Sequence, residues 1–211
     1  AVSHNLPRSA GHLAGVQNIR RIIQACINLR IQVLTLYIFS TENWQRSTEE
    51  VQYLMKLASE YAVNELPEMQ AMGVKMNLLG RRDELPKYVI EPIDQMALCT
   101  RENTNITVNL ALNYGGRREI LDSVRKILQD NESKTIETSD IDEGMIQKNL
   151  YWPECPDVDL IIRTGGENRI SNFLLWQSVN TIFLSTPVFW PDFSPEDLEE
   201  LIEFFREQIQ K

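Results

Sequence analysis

The chain has 211 residues, a length that fits one α/β domain or two small ones. Hydrophobic residues make up 43% and charged residues 24%, the balance of an ordinary globular protein with a sizeable core. The net charge of −9 argues against nucleic acid as the main partner, because phosphate backbones need a basic footprint, but it leaves room for a small anion held by local arginines.

In chain order, Gly11 to Leu29 places Leu13, Val16, Ile19, Ile22, Ile23 and Cys26 at helical spacing. Val33 to Phe39 is a short apolar, β-rich run and predicts a buried strand. Ser47 or Thr48 followed by acidic residues marks a helix start, and Glu49 to Met72 keeps the helical period until Gly73 closes it. Val74 to Leu79 reads as a strand, Pro86 to Thr100 as a helix and Ile106 to Leu112 as a strand. After Gly115-Gly116, Arg117 to Leu128 is helical. Asp130 to Asp142 reads as a polar loop, with a short helix towards Leu150. Val158 to Ile162 and Thr181 to Leu184 are strands, and Ser194-Pro195-Glu196 starts a last helix running towards Gln210. This alternation predicts one α/β domain over residues 1–211, with a central, mostly parallel sheet flanked by helices. In such sheets ligands bind beyond the carboxyl ends of the strands, where the polar motifs of this chain fall.

Three cysteines, Cys26, Cys99 and Cys155, are scattered and form no CxxC pair, so neither a disulfide framework nor a zinc site is indicated. No apolar stretch is long enough to span a bilayer and no signal peptide opens the chain. The expected location is soluble, in the cytoplasm or the plastid stroma. The opening AVSHNLPRSAGH reads as the interior of a longer protein, which leaves a removed targeting segment open.

Four polar runs could carry chemistry. FSTENWQR, Phe39 to Arg46, follows a strand and packs Ser40, Asn43, Trp44 and Arg46 together; it reads equally as a strand-to-helix connection. Ile162 to Asn172 combines Gly165 and Gly166 with Arg163, Arg169 and Ser171. That is the composition of a phosphate nest, with glycine amides, guanidinium charge and a small hydroxyl, although a Gly-rich turn with solvated arginines has the same letters. It matches neither nucleotide-binding glycine motif. Arg8 and His12 precede the first predicted helix and would sit near its positive end, or simply on the surface. Asn109 to Arg117 is a strand running into a Gly-rich turn.

FSTENWQR, NLALNYGGR, IIRTGGENRISNFLLWQ and FWPDF, in this order, resemble the cis-prenyltransferases, the family of undecaprenyl diphosphate synthases. RSAGH resembles the segment after that family's signature loop, so the match runs from Arg8 to Phe193. The resemblance implies a homodimer, a hydrophobic tunnel, magnesium, and the joining of isoprenoid diphosphates with release of diphosphate. Arg8 and His12 resemble the residues that hold the allylic diphosphate, and Arg163, Arg169 and Ser171 those that hold the second one. Ser40, Asn43 and Arg46 resemble polar residues between the two, and Trp44 would order their loop. Ile38 would stand in the tunnel wall, where long-chain members often carry a small residue, and so implies a product of ten or at most fifteen carbons. The family's Asp-Gly-Asn loop, with the catalytic Asp, would lie before Ala1, and its Arg-x-Gly tail after Lys211. Ile182 stands where the family commonly has a magnesium-binding Glu; isoleucine offers no oxygen to a hard cation. Three activities follow. The altered position favours an irregular, lavandulyl diphosphate synthase-type coupling of two dimethylallyl diphosphates. The alternatives are conventional addition of isopentenyl diphosphate and a catalytically silent partner subunit.

Overall fold

The computed structural model describes residues 8–130 and 140–209. Among the described residues six helices and five strands follow in the order α1 (Arg8–Asn28), β1 (Val33–Ser40), α2 (Thr48–Ala71), β2 (Val74–Leu79), α3 (Lys87–Thr100), β3 (Ile106–Tyr114), α4 (Gly116–Asp130), α5 (Glu143–Gln147), β4 (Leu160–Thr164), β5 (Ile182–Thr186) and α6 (Pro195–Ile209). The first helix begins at Arg8, earlier than its apolar period suggests, so His12 lies within α1 rather than ahead of it. Ser47 caps α2 by accepting from the Glu50 amide at 3.3 Å, as its position before the acidic turn predicts.

β3 is the centre of the fold. It pairs in parallel with β1 on one edge and β2 on the other, and all but one of its nine residues are buried. Its period of two sends Val108, Leu110 and Leu112 into the main core with Leu36, Met76 and Leu78. Ala111 and Leu79 go to the opposite face and a second cluster with Tyr114 and Leu174. Ile22, Ile23 and Cys26 of α1, Met55 and Tyr61 of α2, and Val89, Ile93 and Met96 of α3 fill the main core. A parallel sheet must be covered on both faces, which is why its strands read as unbroken apolar runs.

The expected single sheet is divided by its hydrogen bonds. β4 and β5 form their own parallel ladder, apart from β1-β3-β2. A cavity of about 1200 Å³ lies between, lined by consecutive residues of both β1 and β4, so each strand turns an open edge to it. The β1–β3 register shifts between Tyr37 and Phe39, which leaves Ile38 without a partner in the ladder. Bulges of this kind re-aim a side chain beside functional sites.

A charged cluster ties β2 to α4. Arg81 donates two bonds of 2.6 Å to Asp122, and the Tyr151 hydroxyl donates a third, also of 2.6 Å. The Arg81 guanidinium, opposed by burial and helped by Tyr151, holds the Asp122 carboxyl down at about 2. A depressed carboxylate stabilises the fold above its unfolded value, and that stability is lost as pH falls through the folded value. Asp122→Asn is therefore expected to cost about 1 kcal/mol at neutral pH, solvent screening of the partly exposed pair reducing the full value of the shift. It should also flatten the loss of stability between pH 4 and pH 2, measured by denaturant unfolding across that range.

Candidate active site

Parallel strands place their carboxyl ends together, so the three loops that follow β1, β3 and β4 meet at one end of the molecule. After β1, the Ser40 amide donates to Asn43 Oδ1 at 3.0 Å and tightens a 3-10 turn over Thr41–Gln45. The Trp44 ring meets Phe39 edge-on at 5.1 Å, and its Nε1 donates to Asn113 Oδ1 at 2.7 Å. Trp44 is thus held although 39% of it is exposed. Asn113 adopts a left-handed φ of 52° and donates in turn to the Arg81 carbonyl and the Glu84 carboxylate. Arg46 donates to Glu50 at 2.7 Å, and His12 Nε2 lies 3.4 Å from the same carboxylate oxygen. Nε2 itself makes no hydrogen bond among the described residues.

The loop after β4 braces itself. Arg163 Nη1 donates to Ser171 Oγ at 2.5 Å and to the Arg169 carbonyl, while Arg169 points outward and pairs with Glu167. Arg163 is therefore bonded to Ser171 and to the Arg169 backbone, while the Arg169 guanidinium stands outside that contact. The glycine amides are not part of that arrangement. Gly165 N donates to the Val188 carbonyl and Gly166 N to the Thr186 carbonyl, each at 2.8 Å. This corrects the expectation of an amide nest: the two N–H groups extend the β4–β5 contact, and the positive φ of both glycines serves the turn.

A second cavity, of about 750 Å³, opens beside these loops. His12, Arg46 and Glu50 supply its polar groups, and Leu54, Leu57, Ala58, Ile93 and Leu110 its apolar wall. Ile38 lines it from the bulge and Tyr61 from α2. Successive inward turns of α2 carry the wall from Glu50 to Tyr61, about 16 Å along the helix.

Two expected participants stand apart. The side chain of Arg8 and everything before it, including Ala1, lie outside the described residues, as do residues 131–139 of the expected loop. Ile182 pairs with Leu160, whereas Arg163 pairs with Ser185, so Ile182 sits three rungs, about 10 Å, from the arginine loop. A carboxylate at position 182 would not reach that loop from within the same chain. Among the described residues no group of three or more His, Cys, Asp or Glu side chains could hold a metal ion. They do not by themselves make a magnesium site.

Sequence reasoning missed Glu42, Glu50, Asn113, Asn172 and the buried Glu119. Glu119 is 1% exposed and accepts from the Tyr114 hydroxyl at 2.6 Å and from Gln177 at 3.2 Å; burial pushes its carboxyl pKa up. The signal for Asn113 was present in the quoted NYGG run, since an Asn before a glycine pair suits a left-handed backbone.

The whole chain, residues 1–211, matches the sequence model of a family described as "Putative undecaprenyl diphosphate synthase". The chain belongs to this prenyltransferase family. An isoprenyl transferase of Bacillus cereus is 42% identical over 201 residues, which cover 95% of this chain and 78% of the relative. One of Rickettsia typhi is 43% identical over 202 residues, 96% of this chain and 87% of the relative. Among solved structures, lavandulyl diphosphate synthase from Lavandula x intermedia, in complex with dimethylallyl diphosphate, superimposes with a TM-score of 0.91 at 32% identity. That alignment covers 98% of this chain and 89% of that one. A probable undecaprenyl diphosphate synthase from Campylobacter jejuni gives 0.81 at 28% identity over 92% and 88%. The chain is a prenyltransferase with the α/β fold of these enzymes.

Proposed function

We propose that the chain is the catalytic domain of a cis-prenyl diphosphate synthase that adds isopentenyl diphosphate to an allylic diphosphate. The observation that carries this is the apolar cavity of about 750 Å³ with His12, Arg46 and Glu50 at one end and the arginine loop nearby. His12, with Arg8, holds the allylic diphosphate, and the hydrocarbon tail lies along α2. Arg163, Arg169 and Ser171 hold the isopentenyl diphosphate. Ser40, Asn43 and Arg46 stand between the two. The allylic C–O bond breaks and its electron pair leaves with diphosphate. The isopentenyl double bond supplies the pair for the new C–C bond, and loss of a proton restores a double bond. Guanidinium groups stabilise the charge on the departing diphosphate, and the apolar wall keeps water from the carbocation.

Conventional addition is preferred to irregular coupling for a geometric reason. The isoleucine at 182 lies about 10 Å along the ladder from Arg163, so its identity does not alter the arginine loop of its own chain. Bacterial isoprenyl transferases among the relatives favour the same reading and a cytoplasmic rather than plastid location. Likeness to the lavender enzyme favours the second reading, in which two dimethylallyl diphosphates combine. Magnesium, general in the family, would here rely on substrate oxygens and on residues outside the described ones. The enzyme acts as a homodimer in this proposal. Val179, 78% exposed, and Phe189, 53% exposed, lie in the apolar run Leu174 to Phe189 and suit an interface core. Among the described residues no helix is long and apolar enough to cross a membrane.

The test is product analysis by chromatography after incubating the full-length protein with dimethylallyl diphosphate, with and without isopentenyl diphosphate. Linear product only in the presence of both is expected. A branched ten-carbon diphosphate from dimethylallyl diphosphate alone would overturn the proposal in favour of irregular coupling.

A further inference from the structure

Three loops converge on the candidate site, and one side chain bonds to both of the others. Asn172, directly after Ser171, donates from Nδ2 to Glu42 Oε1 at 2.8 Å, reaching the turn that follows β1. Its Oδ1 accepts from the Arg117 amide at 2.9 Å, reaching the first turn of α4 after β3. Its own carbonyl accepts from the Gly116 amide at 2.7 Å. These bonds link positions up to 130 residues apart in the chain. Asn172 holds a left-handed φ of 62° and Ser171 one of 51°. Asparagine tolerates that conformation better than most residues, and here its side chain rewards it with two bonds.

Gly115 is fitted to this junction. A Cβ there would stand 2.7 Å from Thr41 Oγ1 and 2.8 Å from Asn172 Nδ2, closer than any side chain permits. The glycine is what lets the β1 turn and the arginine loop close over the end of β3. Glu42 also accepts from Thr41 at 3.1 Å, and hydrogen bonds from Asn172 and its neighbours outweigh partial burial and hold its carboxyl pKa down. It therefore stays an acceptor at neutral pH.

We infer that Asn172 is a positioning residue for the second diphosphate: it fixes the Arg163–Arg169–Ser171 loop against the β1 turn and the start of α4, so the two diphosphates are held at a set separation. This rests on the proposed role of that loop. The chemistry depends on the direction of the Asn172–Glu42 bond, an amide donor to a carboxylate. Asn172→Asp keeps the shape and the acceptor for the Arg117 amide, but turns a carboxylate onto Glu42.

The test is steady-state kinetics on the full-length enzyme with isopentenyl diphosphate as the varied substrate. Misplacement of a binding loop by an ångström costs up to about a hundredfold, so Asn172→Asp is expected to raise the KM for isopentenyl diphosphate roughly tenfold to hundredfold. The KM for the allylic substrate should change little. Adding Glu42→Gln to Asn172→Asp restores a donor and an acceptor with sides exchanged, and should recover most of the loss. A side chain that merely supports the fold would not show that recovery. Arg169→Ala is measured alongside. If it raises the KM while Asn172→Asp does not, or if the double variant fails to recover, the positioning role is overturned and the loop's role stands. If Arg169→Ala also leaves the KM unchanged, the loop does not bind this substrate and both readings fall.

Discussion

Arg163→Ala is expected to lower kcat/KM for isopentenyl diphosphate by at least about a hundredfold, with the fold intact. Arg163 is the penultimate residue of β4, and its Nη1 already spans Ser171 Oγ and the Arg169 carbonyl. Alanine would remove two charge-assisted bonds worth roughly 1.5–3 kcal/mol each, together with the cation offered to the diphosphate. Each 1.4 kcal/mol is about a tenfold loss, so even one such bond realised in the bound state gives a large effect. Arg163→Lys should recover little, because a single ammonium cannot reproduce the planar fork that reaches two acceptors. Steady-state kinetics with circular dichroism as a control for folding makes the comparison. A KM within twofold of the parent in the alanine variant would remove Arg163 from the substrate site.

The second large effect belongs to the α2 wall of the 750 Å³ cavity. Tyr61 lines the cavity from α2, is only 6% exposed, and its hydroxyl has no hydrogen-bond partner among the described residues. Its ring is a wall to a chain growing along α2. Tyr61→Ala should lose roughly 3–5 kcal/mol of stability, the usual cost of deleting a buried aromatic ring. It should also lengthen the product. Tyr61→Phe keeps the wall and removes an unsatisfied hydroxyl whose burial costs about 1–3 kcal/mol, so it should unfold at higher denaturant and release the parent product. Ile38→Ala, nearer the β1 turn, should lengthen the product with a smaller stability cost, because Ile38 sits outside the ladder. Chain length is read by chromatography of the dephosphorylated products. Parent-length products from both alanine variants would show that neither residue limits growth.

Local pattern made much of this fold legible. Val74 to Leu79 is read to the residue, because Gly73 and Gly80 punctuate a short apolar run. Helix α2 is read to within a residue from its acidic first turn. β4 starts two residues later than its apolar run suggests, and the Val158 amide is engaged by the Gln177 carbonyl. What pattern could not reveal was pairing across long separations. Glu119 sits on a polar-looking helix and reads as solvated, yet Tyr114 and Gln177, the latter 58 residues away, close over it. The glycine amides of the RTGG run look free in sequence because their acceptors lie twenty or more residues on, at Thr186 and Val188. The division of the strands into two ladders leaves no trace in local composition either.

The apolar wall of the 750 Å³ cavity and the arginine-bearing loops are carried by different parts of the chain. α2 and α3 furnish that wall through Leu54, Leu57, Tyr61 and Ile93, while β4 and the loops after β1 and β4 furnish the arginines and hydroxyls, which line the neighbouring 1200 Å³ cavity. A change of volume on the helices costs stability but leaves the loops in place, whereas the loops are locked by hydrogen bonds that depend on each partner. Descendants of such a molecule can therefore drift in the size of what they make while the bond-forming step stays as it was. A change of volume on these two helices should therefore alter the length of what fits the cavity while leaving the loops as they are.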